Sequence, residues 1–138
     1  MAIPDDLCIP IAADTDIVLA RQKGRELAER LGFSRTDLTF IATAISEVAR
    51  NITSYAGRGE MQFRIVDGDG RQGIVMEARD EGPGISDVQR ALEDGYSTAE
   101  GMGLGLPGAR RLMDEFEVRS EAGQGTTVIM CKWLPDRG

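Results

Sequence analysis

The chain has 138 residues, with 16 lysines and arginines against 23 aspartates and glutamates, so its formal net charge is −7. This length predicts one domain, over residues 1–138, with a buried core. The acidic balance argues against nucleic acid as a partner, because neutralising phosphates requires a basic surface. The absence of histidine excludes the nucleophile pairs and zinc sites that need an imidazole.

No apolar run reaches the roughly 20 residues that a membrane-spanning helix needs. The first residues, MAIPDDLCIPIAAD, carry acids where a secretion signal carries a basic region, which predicts a cytoplasmic protein. The two cysteines, Cys8 and Cys131, are too few for a structural zinc site. Both stand among apolar neighbours, so both are predicted to be buried in strands.

The first half of the chain predicts a short strand followed by two helices. Residues 7–11 indicate a strand that Pro10 places at a sheet edge or ends. A helix is expected from an N-cap at Asp14 or Thr15 until Gly32. Ser34, with Asp37 three residues later, is typical of a capping box, and the apolar spacing that follows predicts a second helix reaching Gly57.

The second half predicts two hairpins with helical segments between them. Apolar alternation on both sides of DGDG indicates the first hairpin. A short helical stretch over 86–95 and a helix from Pro107 to about Phe116 are expected next, and a final hairpin turns at AGQG. This order predicts an α+β fold: a two-layer sandwich of a mostly antiparallel mixed sheet with helices on one face.

The second predicted helix carries a polar stripe nearly opposite its apolar one. Glu47 and Asn51 lie one turn apart, and Thr43, Arg50 and Ser54 join them. A solvated helix face explains such a stripe. Alternatively, the carboxylate can accept a proton while the amide oxygen ligates a hard cation such as Mg²⁺.

Two glycine-containing segments are further candidates for a site. DEGPG, residues 80–84, is explained by a turn, yet it also sets a carboxylate, Asp80, beside two glycines that let a flat ligand approach the backbone. The carboxylate there can accept a hydrogen bond from an exocyclic amine such as that of adenine. GMGLGLPG, residues 101–108, precedes a predicted helix and favours a phosphate ligand. Neither a Walker A motif nor a dinucleotide-binding turn preceded by an apolar strand is present.

Taken in order, these segments resemble the nucleotide-binding motifs of the GHKL ATPases, the group that includes gyrase and the histidine kinases. The matching segments are Glu47 with Asn51, DEGPG, GMGLG over 101–105, and Gly125-Thr126. The resemblance covers nearly the whole chain and implies a Bergerat-type ATP-binding fold with Mg-ATP as ligand.

The resemblance also implies a role for each matching residue. Asp80 would accept the adenine amine, Gly82 and Gly84 would admit the base, and Thr126 would support the same edge. Asn51 would hold Mg²⁺, and Glu47 would accept or orient the proton of the acceptor hydroxyl. Arg50 would neutralise phosphate, although an outward surface position explains it equally well. The segment that would wrap the triphosphate comprises Gly101, Met102, Gly103, Leu104 and Gly105.

Within the group, the chain is most similar to the small switch serine/threonine kinases of bacterial partner switching, related to the anti-sigma factor kinases. Ala99-Glu100 before the second glycine segment favours the switch-kinase side. This implies transfer of the ATP γ-phosphate to a Ser or Thr of a STAS-domain antagonist protein in the general stress response, with a stressosome scaffold or a PP2C-type phosphatase as further partners. The alternative is an anti-sigma factor that sequesters a sigma factor, with or without kinase activity. The sequence leaves the oligomeric state open.

Overall fold

Five antiparallel strands form the sheet of this computed structural model, which describes residues 6–68, 70–82, 106–120 and 123–135. The strand order is β1-β2-β3-β5-β4, and all four pairings in the described part are antiparallel. The strands are β1 (Asp6–Ile11), β2 (Gly59–Gly68), β3 (Arg71–Asp80), β4 (Glu115–Ser120) and β5 (Thr126–Trp133).

Three α-helices accompany the sheet in the described residues: α1 (Asp14–Leu31), α2 (Arg35–Asn51) and α3 (Leu106–Leu112). A π-helical segment, Ile52–Ala56, continues α2. One core contains apolar side chains of both helices and strands, among them Ile41, Ile45, Phe63, Met76 and Met130. The predicted α+β class is therefore confirmed.

Close packing of α1 depends on the absence of a side chain at Gly24. A Cβ there would lie 2.8 Å from Phe63 Cε1, and closer still to Ile45 Cδ1. Both neighbours are fully buried and have little room to move. Helix α1 can therefore lie directly against α2 and the sheet.

Two helix boundaries follow the sequence signals, and the start of α1 differs from them. Ser34 Oγ accepts a hydrogen bond from the Asp37 amide at 3.1 Å, and Gly32 ends α1 with a positive φ of 102°. The N-cap at Ser34 and the end of α1 at Gly32 are confirmed. The N-cap of α1 is Ala13 instead of Asp14 or Thr15, because the Asp16 carboxylate accepts from the backbone amides of residues 12 and 13.

Three other expectations need correction. Helix α3 ends at Leu112, not near Phe116, and Phe116 lies in β4 opposite Met130. The predicted second helix is α-helical only to Asn51, since its last turn is π-helical. Cys131 is buried as expected, but Cys8 is exposed because it lies on an edge strand and on the face opposite to that of the buried Ile9 and Ile11.

Pro10 lies within β1 and does not end it, which the edge position of the strand permits. The short helical stretch expected over 86–95 and the glycine segment 101–105 lie outside the described residues. Among the helices that the structure describes, none is both long and apolar enough to cross a membrane.

Candidate functional site

A row of directly paired residues crosses all five strands at one end of the sheet. In strand order the row is Ile11, Gly59, Asp80, Thr126 and Ser120. Directly opposite residues in neighbouring strands share a face of the sheet. Because Ile11 is a core residue, the polar side chains of this row lie on the face that the helices cover.

Asp80 is anchored through one of its carboxylate oxygens. Oδ1 accepts from the Gly82 amide at 2.9 Å and from the Thr126 amide at 3.2 Å. Both of the donors that the described residues bring to this carboxylate contact Oδ1. The internal bonds thus fix the side chain through Oδ1, while Oδ2 accepts no hydrogen bond from the described residues.

Glycines allow the backbone to close around Asp80. Gly125 has a φ of +87°, and a Cβ on it would lie 2.9 Å from Glu81 Cα. A Cβ on Gly59 would lie 3.1 Å from Asp80 Cβ. Two neighbouring strands can therefore approach Asp80 only because these positions lack side chains.

Thr126 forms a hydrogen bond with Ser120, a residue that the sequence motifs do not include. Its Oγ1 lies 2.9 Å from Ser120 Oγ, which also donates to the Gly125 carbonyl at 2.8 Å. Both hydroxyls are half-buried. The alternation of β4 could have placed Ser120 on the inner face, but only the register with β5 places it opposite Thr126.

Helix α2 carries Glu47 and Asn51 one turn apart. The Glu47 side chain is 34% exposed, and its Oε1 lies 3.4 Å from Nη1 of Arg50. Arg50 itself is exposed, as are Thr43 and Ser54, whereas Asn51 is half-buried. The predicted stripe therefore contains two partly shielded groups, Glu47 and Asn51, flanked by solvated ones.

The π-helical segment brings the end of α2 to the row of paired residues. Its defining bond runs from the Gly57 amide to the Ile52 carbonyl at 2.8 Å. A Cβ on Gly59 would lie 2.9 Å from Ile52 Cγ2, and a Cβ on Gly82 would lie 2.6 Å from Ala56 Cβ. Asn51, which directly precedes this segment, thus lies toward the same end of the sheet as Asp80. π-helical turns are rare in proteins, and those that occur are often found at functional sites.

Two openings border these residues. A cavity of about 390 Å³ adjoins Asp80 and is lined by Ala56, Arg58, Gly59, Glu60, Arg79, Asp80 and Glu81. A groove of about 440 Å³ between α1 and α2 is lined by Arg21, Gln22, Arg25, Thr39, Ala42, Thr43, Ser46 and Glu47. The first gives space at Asp80, and the second makes Glu47 accessible from outside.

The described residues contain no cluster of three or more acidic or cysteine side chains that could hold a metal ion. Asn51 supplies one amide oxygen, which suits an ion that takes its remaining ligands from phosphate and water, as Mg²⁺ commonly does. Of the other predicted nucleotide contacts, Gly82 directly follows the row, while Gly84, Gly101, Met102, Gly103, Leu104 and Gly105 lie outside the described residues.

The chain matches known proteins over most of its length. The family model for the histidine kinase-like ATPase domain matches residues 11–132. The serine/threonine-protein kinase RsbT of Bacillus subtilis (strain 168) is 50% identical over 130 residues, which cover 94% of this chain and 98% of that kinase. An anti-sigma F factor of Caldanaerobacter subterraneus subsp. tengcongensis is 34% identical over 121 residues, 83% of each chain. A second anti-sigma F factor, from Thermoanaerobacter sp. (strain X514), is 30% identical over 83% of each chain.

Proposed function

Because the chain belongs to the histidine kinase-like ATPase family, we propose that it is an ATP-dependent serine/threonine-protein kinase of a bacterial partner-switching pathway. One observation carries this: half of the aligned residues are identical to those of a serine/threonine-protein kinase, over 98% of that protein's length. The match therefore extends through the complete kinase and is not limited to a shared nucleotide-binding segment.

We assign the adenine to the row of paired residues. Oδ2 of Asp80 accepts from the exocyclic amine, while Oδ1 keeps its two internal bonds. Thr126 supports the same edge of the base. Gly82 and Gly84 permit the approach of a flat ring to the backbone.

The phosphates are assigned to the segment from Gly101 to Gly105, which includes Met102 and Leu104, together with the end of α2. Asn51 would hold Mg²⁺ through its amide oxygen, and the ion when bound would neutralise charge on the phosphate oxygens. Arg50 is paired with Glu47 at the surface and is available to a phosphate group once that pair opens. An exposed pair of this kind is worth less than about 1 kcal/mol, so opening it costs little.

Glu47 is the proposed base. It precedes Asn51 by one turn, so its carboxylate lies next to the position assigned to the ion. The groove between α1 and α2 gives an incoming hydroxyl access to it. Its task is to accept or orient the proton of that hydroxyl while the γ-phosphoryl group is transferred.

The acceptor we infer is a Ser or Thr of a STAS-domain antagonist protein in the cytoplasm. A stressosome scaffold and a PP2C-type phosphatase are the further partners of such a pathway. These assignments rest on the resemblance to switch kinases.

The direct test is transfer of labelled γ-phosphate from ATP to a purified STAS-domain protein. Glu47→Gln is expected to keep ATP affinity within about twofold and to reduce transfer at least a hundredfold, the effect of losing a general base. The matched control is Glu26→Gln, since Glu26 also forms an exposed i,i+3 ion pair, at 3.6 Å with Lys23. It should transfer like the wild type.

Each outcome of this assay assigns a role. Full transfer by Glu47→Gln would remove Glu47 as the base, and no transfer by the wild type to any STAS-domain protein would contradict the kinase assignment.

Asn51→Ala should additionally lose the Mg²⁺-dependent part of ATP binding. Calorimetry with and without Mg²⁺ measures that part separately from the chemistry.

A second candidate function is sequestration of a sigma factor. It is favoured by the 34% identity to an anti-sigma F factor over 83% of both chains. Kinase activity and sequestration can coexist in one domain, so transfer alone does not exclude it. The identity of the partner retained in a complex distinguishes the two.

A further inference from the structure

We propose that Ser120 is a positioning residue that fixes the Thr126 hydroxyl as a hydrogen-bond acceptor and thereby selects purines with an amino group at position 6. The inference rests on the proposed binding of ATP beside Asp80 and Thr126. It adds a residue on β4 that lies opposite Thr126, outside the assigned contacts to the nucleotide.

The hydrogen bonds of Ser120 determine in which direction the Thr126 hydroxyl donates its proton. The Gly125 carbonyl can only accept, so the 2.8 Å contact uses the single hydroxyl proton of Ser120. The 2.9 Å contact between Ser120 Oγ and Thr126 Oγ1 then needs its proton from Thr126. The Thr126 hydroxyl is thus committed as a donor to Ser120, and toward any third group it can only accept.

The chain that fixes this direction is held rigidly. Gly125 has a positive φ and packs against the backbone of Glu81, which fixes the position of its carbonyl. Ser120 and Thr126 are directly paired across β4 and β5, and both are half-buried. A rotation of the Thr126 hydroxyl would therefore break its bond to Ser120.

Thr126 and Asp80 consequently both present hydrogen-bond acceptors to a ligand. An ionised carboxylate accepts only, and the Asp80 side chain lies directly opposite Thr126. A 6-amino group can donate to both oxygens. A 6-oxo group, as in hypoxanthine or guanine, would itself be an acceptor facing two acceptors and could bond to neither, which costs affinity.

The experiment compares Mg-ATP with Mg-ITP, which differ at position 6 of the base. Dissociation constants are measured by calorimetry for wild type, Ser120→Ala, Thr126→Val and the double variant. Ser120→Ala frees the Thr126 hydroxyl to donate, so the preference for ATP over ITP should fall about three- to tenfold, the effect of one hydrogen bond. Ser120→Thr keeps a hydroxyl and should restore the preference.

The double variant separates positioning from general structure. If Ser120 acts through Thr126, adding Ser120→Ala to Thr126→Val should leave the ATP/ITP ratio unchanged. An equal fall of the ATP/ITP ratio when Ser120→Ala is added to Thr126→Val would overturn the inference. So would an unchanged ratio in Ser120→Ala alone, provided that this variant keeps the wild-type melting temperature. Should Ser120→Ala fail to fold, Thr126→Val alone must still lower the ratio, and an unchanged ratio refutes the inference.

The two levels of the proposal fail differently. A wild-type protein that binds neither nucleotide contradicts the proposed function and this inference with it. A wild-type protein that prefers ATP, but whose preference does not respond to Ser120 or Thr126, contradicts this inference alone.

Discussion

We propose two separate tasks for Asp80, one for each carboxylate oxygen. Oδ1 joins β3 to the start of β5 and to the Gly82 amide, while Oδ2 is left for a ligand. Asparagine can keep the first task, since its amide oxygen still accepts both backbone bonds, but it replaces Oδ2 with a donor. Asp80→Asn should therefore weaken ATP binding about ten- to a hundredfold, the value of a hydrogen bond to a charged group.

Calorimetric titration with Mg-ATP measures this loss, and thermal unfolding shows whether the fold is retained. Asp67→Asn, at an exposed position near the end of β2, is the control and should bind ATP like the wild type. Wild-type ATP affinity in Asp80→Asn would show that Asp80 does not bind the base.

At the scale of single residues, the sequence predicts those parts of the site that lie at the ends of strands next to glycines. Asp80 was found in this way, and Thr126 through the resemblance to the GHKL ATPases. Ser120 and Gly59 were not, because their place beside Asp80 and Thr126 is set by cross-strand register, which local spacing does not encode. Cys8 was predicted to be buried because its apolar neighbours do not reveal that it lies on the outer face of an edge strand.

At the scale of elements, the end of α3 is determined by tertiary contacts. Lys132 Nζ donates to the Leu112 carbonyl at 2.9 Å and lies 3.9 Å from Asp37 in the first turn of α2. The Asp114 amide donates to the Cys131 carbonyl, so the chain joins the sheet directly after the helix. These contacts link α2, α3 and β5, so the helix ends before Phe116, where it was predicted to end.

Lys132 is thus expected to contribute to stability far more than a surface lysine. Its side chain is only 13% exposed. Lys132→Met keeps the aliphatic part of the side chain and removes the charged donor, so the free energy of unfolding should fall by about 1.5–3 kcal/mol. Urea denaturation measures the change.

Lys23→Met is the comparison, because Lys23 is 48% exposed and forms only an i,i+3 pair. Its expected effect is below about 0.5 kcal/mol. Similar losses in the two variants would show that the Lys132 contacts do not stabilise the junction.

The π-helical segment is a second feature that the sequence does not predict, since the residues ITSYA fit a continuous α-helix equally well.

At the scale of the whole molecule, Cys131 couples stability to pH. Burial, followed by the charges of Glu115 and Asp114, raises the pKa of its thiol from 9.0 to about 11. Below pH 9 the thiol is protonated in the folded and unfolded states alike. Between pH 9 and about 11 only the unfolded chain releases the proton, so stability falls as the pH rises. From pH 8 to 10.5 this loss is about 2 kcal/mol.

Cys131→Ala should remove that part of the pH dependence. Urea unfolding of both proteins at pH 8 and pH 10.5 gives the comparison, in which titration of the other groups cancels. The variant starts from a lower stability because the substitution leaves a cavity, so the difference between the two pH values is the measured quantity. Equal losses in wild type and variant would show that Cys131 is not buried as a neutral thiol.

The two candidate functions differ in which partner the protein retains and in whether ATP releases that partner. A switch kinase should hold its unphosphorylated acceptor and release it after transfer, because the phosphate adds about −1.5 to −2 charge next to a chain whose net charge is already −7. Size-exclusion chromatography of the chain with a purified STAS-domain protein should give a complex that persists with ADP and dissociates with Mg-ATP. Glu47→Gln, which binds ATP without transfer, should keep the complex in both nucleotides. An anti-sigma factor should instead retain a purified sigma factor, more tightly with ATP, and this result without any STAS-domain complex would favour sequestration over the switch kinase.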